Sequence, residues 1–215
     1  MKKRFMFLAI MMITLSACSK TTIDLPYTNN KQTTMYVTHL KENAITAINL
    51  DTKTEEKVTL PFTFSAIVQM EPGYFIAAVK EENQLYKIDI NKNNITPFIN
   101  VDVGILDLQY DESSGLLYAA NANKNNILTI DVELKKIVKE TQVGDYPSKL
   151  FLHGNQLFIL SAGSGEVYVF YTKTGEATHS FKVNPRPEGL HFDGTYIWIG
   201  GHGATGELNE KVFAY

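Results

Sequence analysis

A spacing of about 40 residues constrains the fold of this chain more than any other feature of its sequence. Tyr118, Phe158 and Trp198 lie 40 residues apart in succession. The register extends back through Tyr36 and Ile76, with one spacing of 42 before Tyr118. Two more sets of apolar landmarks keep nearly the same spacing: Val68, Leu108, Leu150, Leu190 and Ile48, Ile88, Ile130, Phe170, Ala214. A period of this length indicates an array of repeated units.

Each unit contains four short β-type runs separated by turn residues. In the clearest unit the predicted strands are residues 148–153, 156–162, 166–171 and 177–183. β-branched and aromatic residues dominate these runs, and Gly154-Asn155 forms a two-residue hairpin turn. No window shows a sustained helical period. The sequence therefore predicts an all-β protein, a β-propeller of about five four-stranded blades of roughly 40 residues each.

The first and last of these blades are incomplete. The unit at Thr34 lacks an obvious inner strand, and the last unit stops at Tyr215 after its third strand, which leaves about 18 strands. Three explanations stay open. The ring closes imperfectly, with residues 22–25 supplying a strand; or it is a shortened relative of a larger ring; or its open blade edges pair with a partner chain in an oligomer.

Several repeat units resemble the YVTN-type β-propeller repeat. One begins Leu117-Tyr118-Ala119-Ala120-Asn121 and ends Val143-Gly144-Asp145-Tyr146-Pro147, and the first unit reads Tyr36-Val37-Thr38-His39. The second unit departs from the pattern with Ala77-Ala78-Val79. The resemblance covers roughly 180 residues. It implies the fold and no particular activity, because propellers host many unrelated functions.

The N-terminus has the pattern of an exported lipoprotein. Three basic residues precede an apolar run at residues 5–15, which is too short to span a bilayer core and typical of a signal peptide. The run Leu15-Ser16-Ala17-Cys18 resembles a bacterial lipobox. This resemblance implies cleavage before Cys18 and lipidation of Cys18 with acyl chains such as palmitate. Each lipid methylene buried in the bilayer contributes about 0.8 kcal/mol to anchoring.

We therefore expect a lipoprotein signal peptide at 1–17, a polar tether at 18–33 and a β-propeller domain at 34–215. The mature protein is expected at the extracytoplasmic face of the cell membrane, held there through lipidated Cys18. An ordinary cleaved signal peptide and an uncleaved membrane anchor are the alternatives.

The charge balance argues against a nucleic-acid partner. The chain has 20 basic and 23 acidic residues. Removal of Lys2, Lys3 and Arg4 with the signal peptide leaves 17 basic residues and a formal charge of −6. Phosphate contacts require a basic face, and the sequence shows no stripe of Lys or Arg.

The loops that lead into the inner strands are the expected binding rim, because function on propellers concentrates in loops around the central channel. His191 belongs to an inner strand, and His202 lies in a glycine-rich stretch that we place near a channel mouth. The candidate ligand-rim residues are Asp145, Tyr146, Arg186, Glu188, His191 and His202.

We predict no catalytic residue, no metal site and no cofactor. The histidines lack the His-x-x-x-His spacing of a helical zinc site, and residues 200–206 lack the Gly-Lys-Ser/Thr ending of a phosphate loop. The favoured function is a non-catalytic binding or scaffolding module for an envelope protein or polymer. Two alternatives stay open: a propeller enzyme of lactonase-like or metal- or quinone-dependent type, and a truncated propeller without independent function.

Overall fold

The computed structural model describes residues 33–39, 42–79, 81–183, 187–201 and 212–214. These residues form eighteen β-strands and no helix. Consistent with that, the described part of the chain contains no helix long and apolar enough to cross a membrane.

Five predicted features lie outside the described residues: the signal peptide at 1–17, Cys18, the strand at 22–25, Arg186 and His202. The same holds for residues 18–32 of the predicted tether. The anchor and the domain boundaries therefore stay predictions.

The strands form five antiparallel sheets, each built from strands that are consecutive in sequence. The first sheet contains β1 (Thr34–His39), β2 (Ala44–Asn49) and β3 (Glu55–Thr59). The second contains β4 (Phe64–Glu71), β5 (Tyr74–Val79), β6 (Gln84–Asp89) and β7 (Asn94–Asn100). The third contains β8 (Ile105–Asp111), β9 (Leu116–Asn121), β10 (Asn126–Asp131) and β11 (Lys136–Gln142). The fourth contains β12 (Pro147–His153), β13 (Gln156–Ser161), β14 (Glu166–Tyr171) and β15 (Glu176–Lys182). The fifth contains β16 (Pro187–Phe192), β17 (Ile197–Gly201) and β18 (Phe213–Ala214).

The strands β4, β8, β12 and β16 lie side by side and form the inner surface. Hydrogen bonds tie these inner strands together across the sheets. Ser65 Oγ on β4 donates to the carbonyl oxygen of Ile105 on β8 at 2.7 Å. The backbone N–H of Leu150 on β12 donates to Asp107 Oδ2 on β8 at 2.9 Å. The inner strands therefore hold the sheets in a fixed order around one axis.

The hydrophobic core lies between successive sheets. Four clusters of buried side chains each join two successive sheets, from the first sheet to the fifth. Side chains alternate across a strand, so neighbours in sequence pack on different sheets. On β13, Leu157 packs against the third sheet and Phe158 against the fifth. Each repeat reuses this alternation, which explains why the landmarks keep their spacing.

The predicted all-β fold is confirmed. The third strand of the clearest unit has the predicted bounds, the first and second differ by one residue at one end, and the fourth is shifted by one residue at both ends. The first sheet lacks an inner strand and the fifth lacks an outer one among the described residues, as predicted. The architecture is that of a β-propeller with incomplete terminal blades. No hydrophobic cluster in the described part of the chain joins the first sheet to the fifth.

Candidate functional site

A pocket of about 530 Å³ opens at the end of the propeller where the inner strands begin. We call it the rim pocket. Its lining comes from the third, fourth and fifth sheets and comprises Leu106, Tyr146, Ser148, Lys149, Ala162, Gly163, Pro187 and Glu188. The pocket is bounded mainly by the starts of inner strands and by one hairpin turn, so its walls are part of the rigid sheets.

Tyr146 is the most unusual residue of this pocket. It precedes β12 with a backbone φ of 55°, which residues other than glycine adopt rarely. Its side chain is 51% exposed, so burial does not hold the residue in this conformation. Its repeat equivalent before β8 is Gly104, with a φ of 101°. The third and fourth blades therefore both have a positive φ at this position, with glycine in one and tyrosine in the other.

Hydrogen bonds hold Tyr146 in place. Its N–H donates to the side-chain oxygen of Asn125 at 2.9 Å, and its carbonyl accepts from Ala162 N–H at 2.9 Å. Gly104 makes the equivalent bond, accepting from Ala122 N–H at 2.9 Å. The strained conformation is thus fixed by the third and fourth sheets before any ligand arrives.

Asp145 supports this loop and does not line the pocket. Its carboxylate accepts a hydrogen bond from Asn125 Nδ2 at 3.1 Å. Its carbonyl oxygen accepts from the N–H groups of Gly163 and Ser164 at 2.9 and 3.3 Å. A Cβ atom on Gly163 would lie 2.9 Å from this carbonyl, so the close approach of the two turns requires glycine. Asn125 therefore clamps both residues of the loop.

The pocket carries charges of both signs. Lys149 and Glu188 are exposed and contribute one ammonium and one carboxylate to its lining. Ser148 adds a hydroxyl, which points back to the carbonyl of Leu160 at 3.5 Å. A pocket lined by an aromatic residue and by charges of both signs suits a mixed polar and apolar partner surface.

Asp107 lies behind the lining, one residue beyond Leu106 on β8. Burial raises the pKa of its carboxyl group, an effect that outweighs the hydrogen bond from Leu150 and the charge of Lys149. Its two oxygens accept from the backbone N–H groups of Leu150 and Leu108 at 2.9 and 3.0 Å. These bonds direct the carboxylate toward the neighbouring inner strand, so it acts as a link between sheets.

The structure brings together only some of the predicted rim residues. Tyr146 and Glu188 line the same pocket, and Asp145 lies directly beside it. His191 lies three residues beyond Glu188 along β16, about 10 Å toward the opposite end. Its ring contacts Phe151 edge-on, with centroids 5.5 Å apart. His191 therefore does not line the rim pocket, and its assignment to the ligand rim stays a prediction.

Three contributors to the site escaped the sequence analysis: Asn125, Ser148 and Lys149. Asn125 lies twenty residues before Asp145, and nothing in its neighbourhood marks it as a clamp. One signal was readable, since the repeat register aligns Tyr146 with Gly104 and a tyrosine in a glycine position is unexpected. Among the described residues, no group of three or more His, Cys, Asp or Glu side chains is arranged to hold a metal ion.

Comparison with known proteins supports the fold. No family model and no curated protein matches the sequence. The structure resembles virginiamycin B lyase from Staphylococcus aureus, with a TM-score of 0.63 and 20% identity over 86% of this chain and 67% of that one. It also resembles hydrazine synthase from Kuenenia stuttgartiensis, with a TM-score of 0.63 and 16% identity over 84% of this chain and 58% of that one.

A third similar structure is a functionally unknown protein from Desulfotomaculum acetoxidans, with a TM-score of 0.66 and 12% identity. It is matched over 84% of this chain and 66% of its own. The chain thus spans 58% to 67% of the length of these three proteins. Identities this low establish the β-propeller fold and leave activity open. The closer resemblance to the YVTN-type repeat stays a prediction.

Proposed function

We propose that this protein is a lipid-anchored, extracytoplasmic binding module whose rim pocket holds a partner at the cell envelope. The observation that carries the proposal is the clamped conformation of Tyr146. A left-handed conformation costs a tyrosine on the order of 1–2 kcal/mol. Gly104 shows that the same loop forms without that cost. A strained residue that exposes an aromatic side chain at a pocket mouth is expected where binding of a partner compensates for the strain.

The chemistry of the pocket favours a protein or polymer surface as the partner. Tyrosine supplies apolar contact area and a hydroxyl with few rotatable bonds, which makes it effective in recognition. Lys149 and Glu188 line the same pocket and would orient a partner through their charges. The loop is already in place, so binding loses little free energy to ordering.

Photo-crosslinking in intact cells tests this binding role. A photoreactive phenylalanine analogue replaces Tyr146 in one variant and Leu134 in a control. Leu134 is 68% exposed and lies in the turn between β10 and β11, at the other end of the sheets. We expect a discrete adduct from position 146 and none from position 134. Identical adduct patterns from both positions, or none from either, would contradict a partner at the rim pocket.

The anchor rests on the lipobox resemblance at Cys18 and is tested separately. Cell fractionation should find the wild-type protein in membranes after a high-salt wash, and Cys18→Ala in the soluble fraction. Two acyl chains provide durable anchoring, whereas the tether alone provides none. Retention of Cys18→Ala in membranes would overturn the anchor and leave the binding proposal standing.

An enzyme is the competing function, and Asp107 is the observation that favours it. A carboxyl group with a raised pKa near a pocket is a property that general acids share. One similar structure is also a lyase. Against this, both oxygens of Asp107 accept backbone hydrogen bonds. Any lactonase or lyase activity that Asp107→Asn abolishes, with the fold intact, would favour the enzyme.

A further inference from the structure

A groove runs across the end of the propeller that lies opposite the rim pocket. It consists of two cavities, of about 570 and 670 Å³, which meet at Glu112. Residues 69–72, residues 110–114 and Leu152 line it, which places it at the ends of the inner strands β4, β8 and β12. The rim pocket lies where inner strands begin. We call this second surface the strand-end groove.

Three apolar side chains form the floor of the strand-end groove. Met70, Tyr110 and Leu152 are the penultimate residues of their inner strands and are half-buried. The first two pack against the core between the second and third sheets, and Leu152 packs against the core between the third and fourth. The sheets therefore hold this floor in place before a partner arrives, which lowers the cost of binding.

Glu71 brings an unpaired carboxylate to this groove. By the repeat register it corresponds to Asp111 and Asp193. Each of those two carboxylates accepts a hydrogen bond from the turn that follows it, from Ser113 N–H at 3.0 Å and from Thr195 N–H at 2.8 Å. Within the described part of the chain, the exposed Glu71 side chain accepts no such bond and forms no ion pair. Its charge is therefore available to a partner.

Glu112 adds a second carboxylate at the point where the two cavities meet. It is exposed, and no ion pair joins it to another described residue. Burial raises the pKa of the Tyr110 phenol, and the charges of Glu112, Glu71 and Asp111 raise it further, so the carboxylates of two sheets converge on this ring. Of the described residues that line the groove, Lys173 alone is basic. The groove therefore combines an apolar floor with a negative charge that the chain leaves uncompensated.

We propose that the strand-end groove binds a segment of another protein that carries both basic and apolar side chains. Lysine or arginine side chains of the partner meet Glu71 and Glu112, and its apolar side chains cover the floor around Tyr110. The Tyr110 ring also attracts a cation placed over its face. An acidic segment would instead bring like charges together, which excludes it. A bare metal ion would use the carboxylates and leave the apolar floor uncovered, whereas a protein segment uses both.

The strand-end groove is separate from the rim pocket and does not depend on it. The two surfaces lie at opposite ends of the inner strands, so a partner at one end leaves the other end open. A chain with both surfaces links two partners, which goes beyond the single partner of the proposed function.

Fluorescence anisotropy with synthetic peptides tests the chemistry of the partner. The full-length lipoprotein is held in a non-ionic detergent, with detergent alone as the blank, and the probe is a labelled peptide of alternating lysine and leucine. Matched peptides replace every lysine by glutamate or every leucine by serine. We expect the lysine–leucine peptide to bind, and both matched peptides to bind more weakly by about tenfold or more. Absence of binding, or equal binding of either matched peptide, overturns the proposal. Loss of binding in calcium chloride but not in sodium chloride of equal ionic strength assigns the carboxylates to a metal ion and also overturns it.

Three substitutions locate the binding on the surface. Glu71→Gln and Glu112→Gln should each weaken binding of the lysine–leucine peptide by about threefold, and the double variant by about tenfold, because each removes one partly exposed charge. Glu133→Gln removes the same charge from an exposed turn at the same end of the sheets, outside the groove, and should leave binding unchanged. An equal loss in Glu133→Gln would show attraction to any acidic surface and overturns the proposal, as does unchanged binding in the double variant.

Crosslinking at the rim pocket shows whether the two surfaces are independent. Glu71→Gln should leave the photo-adduct from position 146 unchanged, because the two positions lie at opposite ends of the inner strands. Loss of that adduct in Glu71→Gln would make the two surfaces one site and overturns a separate groove. Absence of the adduct from the wild-type background contradicts the rim pocket alone and leaves the peptide result valid.

Discussion

The middle sheets and the terminal sheets use equivalent residues in different environments. Phe158 in the fourth sheet is 5% exposed, whereas its equivalent Trp198 in the fifth is 39% exposed. Phe75 in the second sheet is 4% exposed, whereas its equivalent Met35 in the first is 45% exposed. The repeat provides every blade with two apolar faces, but only blades with two neighbours bury both. Trp198 is more exposed because no described sheet follows the fifth.

The largest expected difference in stability is between alanine variants of Phe158 and Trp198. Phe158→Ala should reduce the free energy of unfolding by about 3–5 kcal/mol, because it leaves a cavity between two sheets. Trp198→Ala should cost clearly less, about 1–1.5 kcal/mol, because it leaves no cavity between described sheets and removes the hydrogen bond from the indole N–H to Asp193. Urea unfolding of the two variants measures the difference. An equally large loss for Trp198→Ala would mean that another surface covers the fifth sheet in solution.

A second pair of variants tests the packing of the first sheet. Phe75→Ala removes a ring buried against the first sheet and should cost about 3–5 kcal/mol. Met35→Ala, on the open face, should change stability by less than about 0.5 kcal/mol. The same unfolding measurement applies. A cost for Met35→Ala that grows with protein concentration would show that copies associate through this face.

The arrangement of consecutive blades could be predicted from the sequence because the buried positions recur. Each unit buries the same positions against its neighbours, so Leu117 and Leu157 recur at the spacing of the blades. Turns tolerate extra residues, and the two added before Tyr118 lie in the turn after β8. The exposure of Trp198 was not readable, because it depends on whether another sheet follows.

The candidate site was only partly readable. Tyr146 and Glu188 were found by their place before and within inner strands. The clamp by Asn125 was not, since it depends on two turns twenty residues apart meeting in space. His191 lies farther along β16 than the residues that line the pocket, so its role at the rim stays a prediction.

A smaller effect is expected at the link between inner strands. Asp107→Ala leaves the N–H of Leu150 without its partner and should cost about 1–3 kcal/mol. Asp107→Asn keeps an oxygen acceptor and should cost clearly less. Thermal unfolding compares the two variants. Equal losses would show that charge, and not hydrogen bonding, holds β8 to β12.

The pH dependence of stability separates two carboxylates on β8. Burial raises the pKa of Asp107, so the stability from this group is present below its unfolded pKa of about 3.8 and lost as pH rises through the folded value. Burial also acts to raise the pKa of Asp111, but hydrogen bonds from Ser113 and Ser114 outweigh it and lower that pKa. The stability from Asp111 is therefore present above about pH 3.8 and lost as pH falls through its folded value.

Replacement of each residue by asparagine should reveal these opposite signs. Relative to wild type, Asp107→Asn should gain stability as pH rises from about 3 to 6, and Asp111→Asn should lose it. Urea unfolding at several pH values measures both trends. Trends of the same sign in the two variants would contradict the assigned environments.

The most direct test of the account is the substitution Tyr146→Gly, measured for stability and for partner capture in the same protein. Gly104 shows that the loop accepts glycine, so relief of strain should stabilise the fold by about 0.5–1 kcal/mol. Crosslinking from a photoreactive group at Ser148 should lose its adduct in the variant. The predicted result is therefore a higher free energy of unfolding together with a loss of partner binding. Unchanged crosslinking together with unchanged or reduced stability would contradict the claim that Tyr146 is strained for the sake of binding.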